Sequence, residues 1–74
     1  MTELNRIRAI LAEKHRTGKW LGQQLSISNC SVSKWLNNHV QPDLRTLYQI
    51  ADLLDVDVKD LLISNKQHVM QNFA

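Results

Sequence analysis

Between residues 29 and 34 the chain places Asn29, Cys30, Ser33 and Lys34, which carry an amide, a thiol, a hydroxyl and an ammonium group. A nucleophile with its base would need something like Cys30 and His39. None of the chain's three histidines stands in a local signature that supports such a pair. Nor does the Cys30 to His39 spacing recur in a metal-ligand pattern. With two glycines in the chain there is no phosphate-cradling loop. What these side chains suit is hydrogen bonding. A major groove about 12 Å wide admits a helix, and amides, hydroxyls and ammonium groups on that helix reach the N7, O6 and N4 positions of base edges. Asn29 and Lys34 combine the longest reach with the strongest donors. The competing reading is an amphipathic helix whose polar side faces water. Cys30 itself reads as a small surface residue near the DNA, with redox sensing as the lesser alternative.

The elements that would position these groups lie in the run Thr17 to Leu36, TGKWLGQQLSISNCSVSKWL. Leu21 and Leu25 repeat at the helical four-residue interval behind Thr17, whose hydroxyl suits the free N–H groups of a first turn. Ser26-Ile27-Ser28 breaks that pattern. Ser28 then caps a second helix in which Val32, Trp35 and Leu36 share one side, while Cys30, Ser33, Lys34 and Asn37 share the other. Two short capped helices joined by a tight turn outline a helix-turn-helix.

Around this pair the spacing predicts an all-α, compact domain of five helices, with no strand pattern and no repeat. The first runs from about Glu3 to Lys14, capped by Thr2, with Leu4, Ile7, Ile10 and Leu11 inward. The third closes at Asn37-Asn38, since asparagine tolerates the left-handed conformation. A loop over His39 to Gln41 ends at Pro42, and Asp43 caps a fourth helix with Leu44, Leu47, Ile50, Ala51 and Leu54 as its apolar stripe. Asp57 caps a short fifth helix carrying Leu61 and Leu62. Trp35 belongs to the core. Trp20 lies off the Leu21-Leu25 stripe, either over helix 1 or against a partner, and Tyr48 is a rim or interface residue.

Leu21-Gly22, Val32-Ser33-Lys34-Trp35, Gln41-Pro42-Asp43-Leu44 and Ala51-x-x-Leu54-Asp55-Val56 together resemble the Xre family of helix-turn-helix regulators, which includes the phage repressor and Cro proteins. The likeness spans roughly residues 3 to 63. It implies a repressor-like fold and a symmetric homodimer on a palindromic double-stranded operator. Asn29, Cys30, Ser33 and Lys34 would then face base edges. Thr17, Gly18 and Lys19 at the start of helix 2, with Ser28, Ser31 and Asn37, would hold phosphates, since helix starts attract anions. The chain departs from the family at particular positions. Gly18 stands where a glutamine often anchors the recognition helix and the backbone, Gly22 where alanine is usual, Ser26 where the turn usually has glycine, and Leu36 where a polar or acidic residue is common.

The chain's 74 residues, 43% of them hydrophobic, fit one small globular domain over residues 1–63 and a tail over 64–74. No apolar run is long enough to span a bilayer and no signal-peptide pattern opens the sequence. A single cysteine suits a reducing cytoplasm. No cofactor is expected. Charge is unevenly spread: residues 1 to 45 hold seven Lys and Arg against three acidic residues, a balance of +4, whereas 46 to 74 hold two against four, a balance of −2. That orients the positive half, with the reading helix, toward phosphates. The alternative class is a protein-protein adaptor such as an antitoxin-like subunit, supported by the departures at Gly18 and Ser26. Its contact strip would be Val69, Met70 and Phe73 in a tail that is otherwise a disordered terminus.

Overall fold

Apolar residues at three- and four-residue intervals fold the chain into helices α1 (Ile7–Glu13), α2 (Gly18–Leu25), α3 (Asn29–Leu36) and α4 (Leu44–Leu54), followed by one 3-10 turn, Val58–Leu61. This computed structural model describes residues 3–64. The expected Thr2 cap and the tail residues Val69, Met70 and Phe73 lie outside the described residues. The serine, threonine and aspartate caps fall where their positions in the sequence put them. Thr17 Oγ1 accepts from the Trp20 N–H at 3.0 Å, Ser28 Oγ from Ser31 at 3.2 Å, Asp43 Oδ1 from Thr46 at 2.8 Å and Asp57 Oδ1 from Lys59 at 3.1 Å. Each satisfies one of the N–H groups that a helix start leaves unpaired.

The Asp43 cap makes stability pH-dependent. Hydrogen bonding from Thr46, through its side chain and then its backbone N–H, holds the Asp43 carboxyl below the ordinary aspartate value. The unfolded chain therefore takes up that proton first as the pH falls. The cap's contribution is complete above the ordinary aspartate range and is lost as the pH drops through the lowered folded value. Asp43→Asn keeps a capping oxygen that does not titrate. Between pH 7 and about pH 3 the wild-type thermal midpoint should fall further than that of the variant, and parallel falls would contradict the assignment.

The core gathers Ile7, Ile10 and Leu11 of α1, Leu21 of α2, Val32 and Trp35 of α3, Leu47, Ile50, Ala51 and Leu54 of α4, and Leu61. Trp35 is a core residue, as its spacing requires. The structure corrects the expected first and last helices. Helix α1 begins at Ile7, not Glu3, because the Asn5 side chain accepts from the Ile7 N–H at 3.1 Å and starts the helix there. The preceding segment is extended. Asn5 pairs antiparallel with Leu62, Arg6 N–H donates to the Leu61 carbonyl at 2.7 Å and Ile63 N–H to the Leu4 carbonyl at 3.0 Å. Leu4 therefore lies outside the helix and is 52% exposed. The same pairing draws the chain out after Leu61, so the fifth helix is a 3-10 turn and Leu62 is exposed. Leu44, at the first position of α4, also lies off the buried stripe.

Turns close through left-handed residues. Ser26, at the turn position where the family usually has glycine, has φ 57, and Asn38, of the Asn37-Asn38 pair expected to close α3, has φ 60. His15 and Asp55, both at φ 58, do the same without any advance signal. For Ser26 the cost is on the order of 1 kcal/mol relative to glycine.

Among the described residues one polar side chain, Asn5, is buried. Its Nδ2 donates to the Trp35 carbonyl at 3.0 Å and to Gln41 Oε1 at 2.7 Å. Asn38 Oδ1 accepts in turn from the N–H groups of Leu4 at 2.8 Å and Asn5 at 2.9 Å, and from Gln41 Nε2 at 3.2 Å. This knot ties the N-terminal segment to the end of α3 and to the loop before Pro42, which fixes where α3 stops.

Candidate nucleic-acid interface

Helix α3 packs against α2 with the Val32 side chain seated over two glycines. A Cβ on Gly18 would stand 3.4 Å from Val32 Cγ1, and one on Gly22 would stand 3.4 Å from Val32 Cγ2. Four residues apart on α2, Gly18 and Gly22 form a single flat track for Val32. At Gly22 a Cβ would also come within 2.7 Å of the Ile27 carbonyl oxygen, so the turn backbone occupies the space a side chain would need. At Gly18 the neighbour is Leu36 Cδ1, 2.9 Å from the same hypothetical atom. Gly18 and Leu36 are thus one exchange: the leucine lies where an α2 side chain would otherwise reach toward α3.

With Val32 and Trp35 buried, the opposite side of α3 is fixed. Asn29, Cys30, Ser33, Lys34 and Asn37 are all exposed. At roughly 100° per residue Cys30 and Asn37 point most directly away from the core, Ser33 and Lys34 flank them, and Asn29 stands at the edge beside α2. Of the four residues expected to face base edges, Cys30, Ser33 and Lys34 therefore lie on one side of α3, and Asn29 is exposed at its margin.

The expected phosphate-holding residues are more divided. Lys19 is exposed, whereas Thr17 and Ser28 use their side-chain oxygens as caps. Ser31 is half-buried and accepts from Ser28 Oγ at 3.2 Å. Gly18 offers backbone only, half-buried under Leu36. Asn37 is engaged on both sides: its Oδ1 accepts from the Arg8 guanidinium and its Nδ2 donates to Ser33 Oγ at 3.4 Å.

That last contact brings in a residue the sequence did not single out. Arg8 is exposed on α1, 29 positions away from Asn37, and it extends the positive face to the C-terminal end of α3. Only its membership of the basic half hinted at this. Arg16 lies over the Trp20 ring, 4.6 Å from its centroid, so Trp20 is half-buried against the core and roofed by a cation. Cys30 is exposed. Among the described residues no group of three or more His, Cys, Asp or Glu side chains is arranged to hold a metal ion, and no helix is long and apolar enough to cross a membrane.

Comparison with known proteins agrees with this geometry. The family model of the Cro/C1-type helix-turn-helix DNA-binding domain matches residues 6–67. A crystal structure of a candidate DNA-binding protein from Bacteroides fragilis is similar at 45% identity and a TM-score of 0.80, over 81% of this chain and 97% of that one. No curated protein sequence matches the chain.

Proposed function

The chain belongs to the Cro/C1-type helix-turn-helix DNA-binding family, and from that premise we propose that it is a sequence-specific transcriptional regulator that inserts α3 into the major groove of duplex DNA. One observation carries this reading most directly: Cys30, Ser33 and Lys34 share an exposed face of a helix whose opposite side, Val32 and Trp35, is locked in the core, with Asn29 exposed at the edge of that face. A rigidly mounted polar helix presents its donors without first having to be ordered. That is what base discrimination requires. Lys19, the free N–H groups at the start of α2, and Ser28, Ser31 and Asn37 contact phosphates, which set register without specifying sequence. Arg8 joins them beside Asn37.

The protein acts as a symmetric homodimer on a palindromic operator, because two α3 footprints one helical turn apart convert a small contact into useful affinity. Its partner is cytoplasmic double-stranded DNA. It needs no cofactor and performs no catalysis.

Selection of bound sequences from a random duplex pool tests the reading. Asn29→Ala and Lys34→Ala should each reduce the preference for the selected operator over random duplex about tenfold or more, since a good base contact discriminates by about 1 to 3 kcal/mol. Helical content should not change. Log affinity should also fall linearly with log salt, with a slope of roughly −0.9 per phosphate neutralised. Unchanged preference in both variants would remove α3 as the reading element, and salt-insensitive absence of binding would favour the adaptor class.

A further inference from the structure

Beside the reading face, between the first turn of α2 and α3, runs a shallow recess lined by Gly18, Lys19, Asn29, Val32, Ser33 and Leu36. Its floor is apolar and its rim is not. Val32 and Leu36 form the floor, Leu36 being half-buried, while Lys19, Asn29 and Ser33 on the rim are exposed. The recess exists because α2 has no side chain at Gly18, where Leu36 Cδ1 closes to 2.9 Å of a hypothetical Cβ.

An apolar floor among groups suited to base edges and phosphates has a restricted set of matching ligands. Phosphate oxygens, ring nitrogens and exocyclic amines would all lose hydration there without gaining a partner. The apolar group that a major groove displays is the C5-methyl of thymine. We propose that this recess receives a thymine methyl, so that Leu36, with Val32 beneath it, specifies one A·T pair in each half-site. The assignment rests on α3 being the helix that enters the groove. The recess is continuous with that interface: Asn29 and Ser33 border it on the side of the bases, and Lys19 borders it at the start of α2. The two departures from the family pattern at Gly18 and Leu36 then have a common consequence, which is the replacement of a polar anchor by an apolar contact.

The test uses the full chain and an operator obtained by selection. Each thymine of the half-site is replaced in turn by deoxyuridine, which deletes the methyl and leaves base pairing intact. At one thymine per half-site the replacement should weaken binding roughly threefold to tenfold. That penalty should vanish in Leu36→Gln and persist in Leu36→Met, with melting curves to verify that both variants fold. The uracil scan on the wild-type chain needs no variant and stands by itself. Absence of any uracil-sensitive thymine, or sensitivity unaltered in folded Leu36→Gln, overturns the methyl contact. If an operator is still selected and still depends on Asn29 and Lys34, the methyl contact alone has failed. If no preferred duplex emerges, the groove-reading role of α3 has failed with it.

Discussion

Asn5→Ala should lower the thermal midpoint by about 15 °C or more, far beyond what the loss of one small side chain from the domain would ordinarily cause. The residue is only 4% exposed, and its amide serves three separate parts of the chain. Truncation takes from the Trp35 carbonyl one of its two donors, the other being the Asn38 N–H, and leaves Gln41 Oε1 without the donor that reaches it and the Ile7 N–H without its acceptor. Each buried group left unpaired costs about 1 to 3 kcal/mol. A chain of this size has on the order of 5 kcal/mol in total, so the variant approaches the limit of folding near room temperature. Gln41→Ala provides the graded control, because it removes a half-buried partner and should shift the midpoint by a few degrees only. Thermal melts followed by circular dichroism decide the matter: similar small shifts for both would mean that the knot does not hold the N-terminal segment to α3.

That knot also marks where the sequence stops being legible. Periodicity and caps locate α2, α3 and α4 because both signals are local: Thr17, Ser28 and Asp43 bond the N–H three residues on, and Leu21, Val32, Trp35 and Leu47 recur at helical intervals. Asn5 Nδ2 has its partners 30 and 36 residues away, and although Asn5 Oδ1 meets the Ile7 N–H only two residues on, no pattern within a helix-length window reports the distant bonds that hold the amide in place. Hence the start of α1 falls at Ile7, and Leu4 is misplaced as a core residue. The fifth helix fails for the same reason, since pairing with Asn5 competes for the backbone after Leu61.

The polar face of α3 was legible because it is the complement of Val32 and Trp35, whose burial is dictated by their own chemistry. Arg8 was not, since its place beside Asn37 depends on how α1 crosses α3. Gly18 shows a subtler limit. Read along the chain it is a missing anchor and a poor helix former. Only packing reveals that it, together with Gly22, makes room for Val32 and Leu36.

Substituting Val32 by aspartate should unfold the domain, while Ser33→Ala, one position along, should leave the thermal midpoint within about 3 °C of the wild type. Val32 is 1% exposed and its two methyls rest on the Gly18 and Gly22 track. A carboxylate there has no cation within the core cluster to pair with. An unpaired buried charge costs several kcal/mol, comparable with the whole stability of the domain. Ser33 faces solvent, and Asn37 keeps Arg8 as its other partner, so the fold loses little when the hydroxyl goes. The two substitutions also part on DNA. Val32→Asp should abolish all binding, specific and nonspecific, because the mount of α3 is gone. Ser33→Ala should retain nonspecific, salt-sensitive binding and lose part of its preference for the selected operator. Comparable destabilisation by the two would show that α3 is rotated relative to the face assigned here, and with that rotation the assignments of Asn29, Cys30 and Lys34 to base edges would have to be abandoned as well.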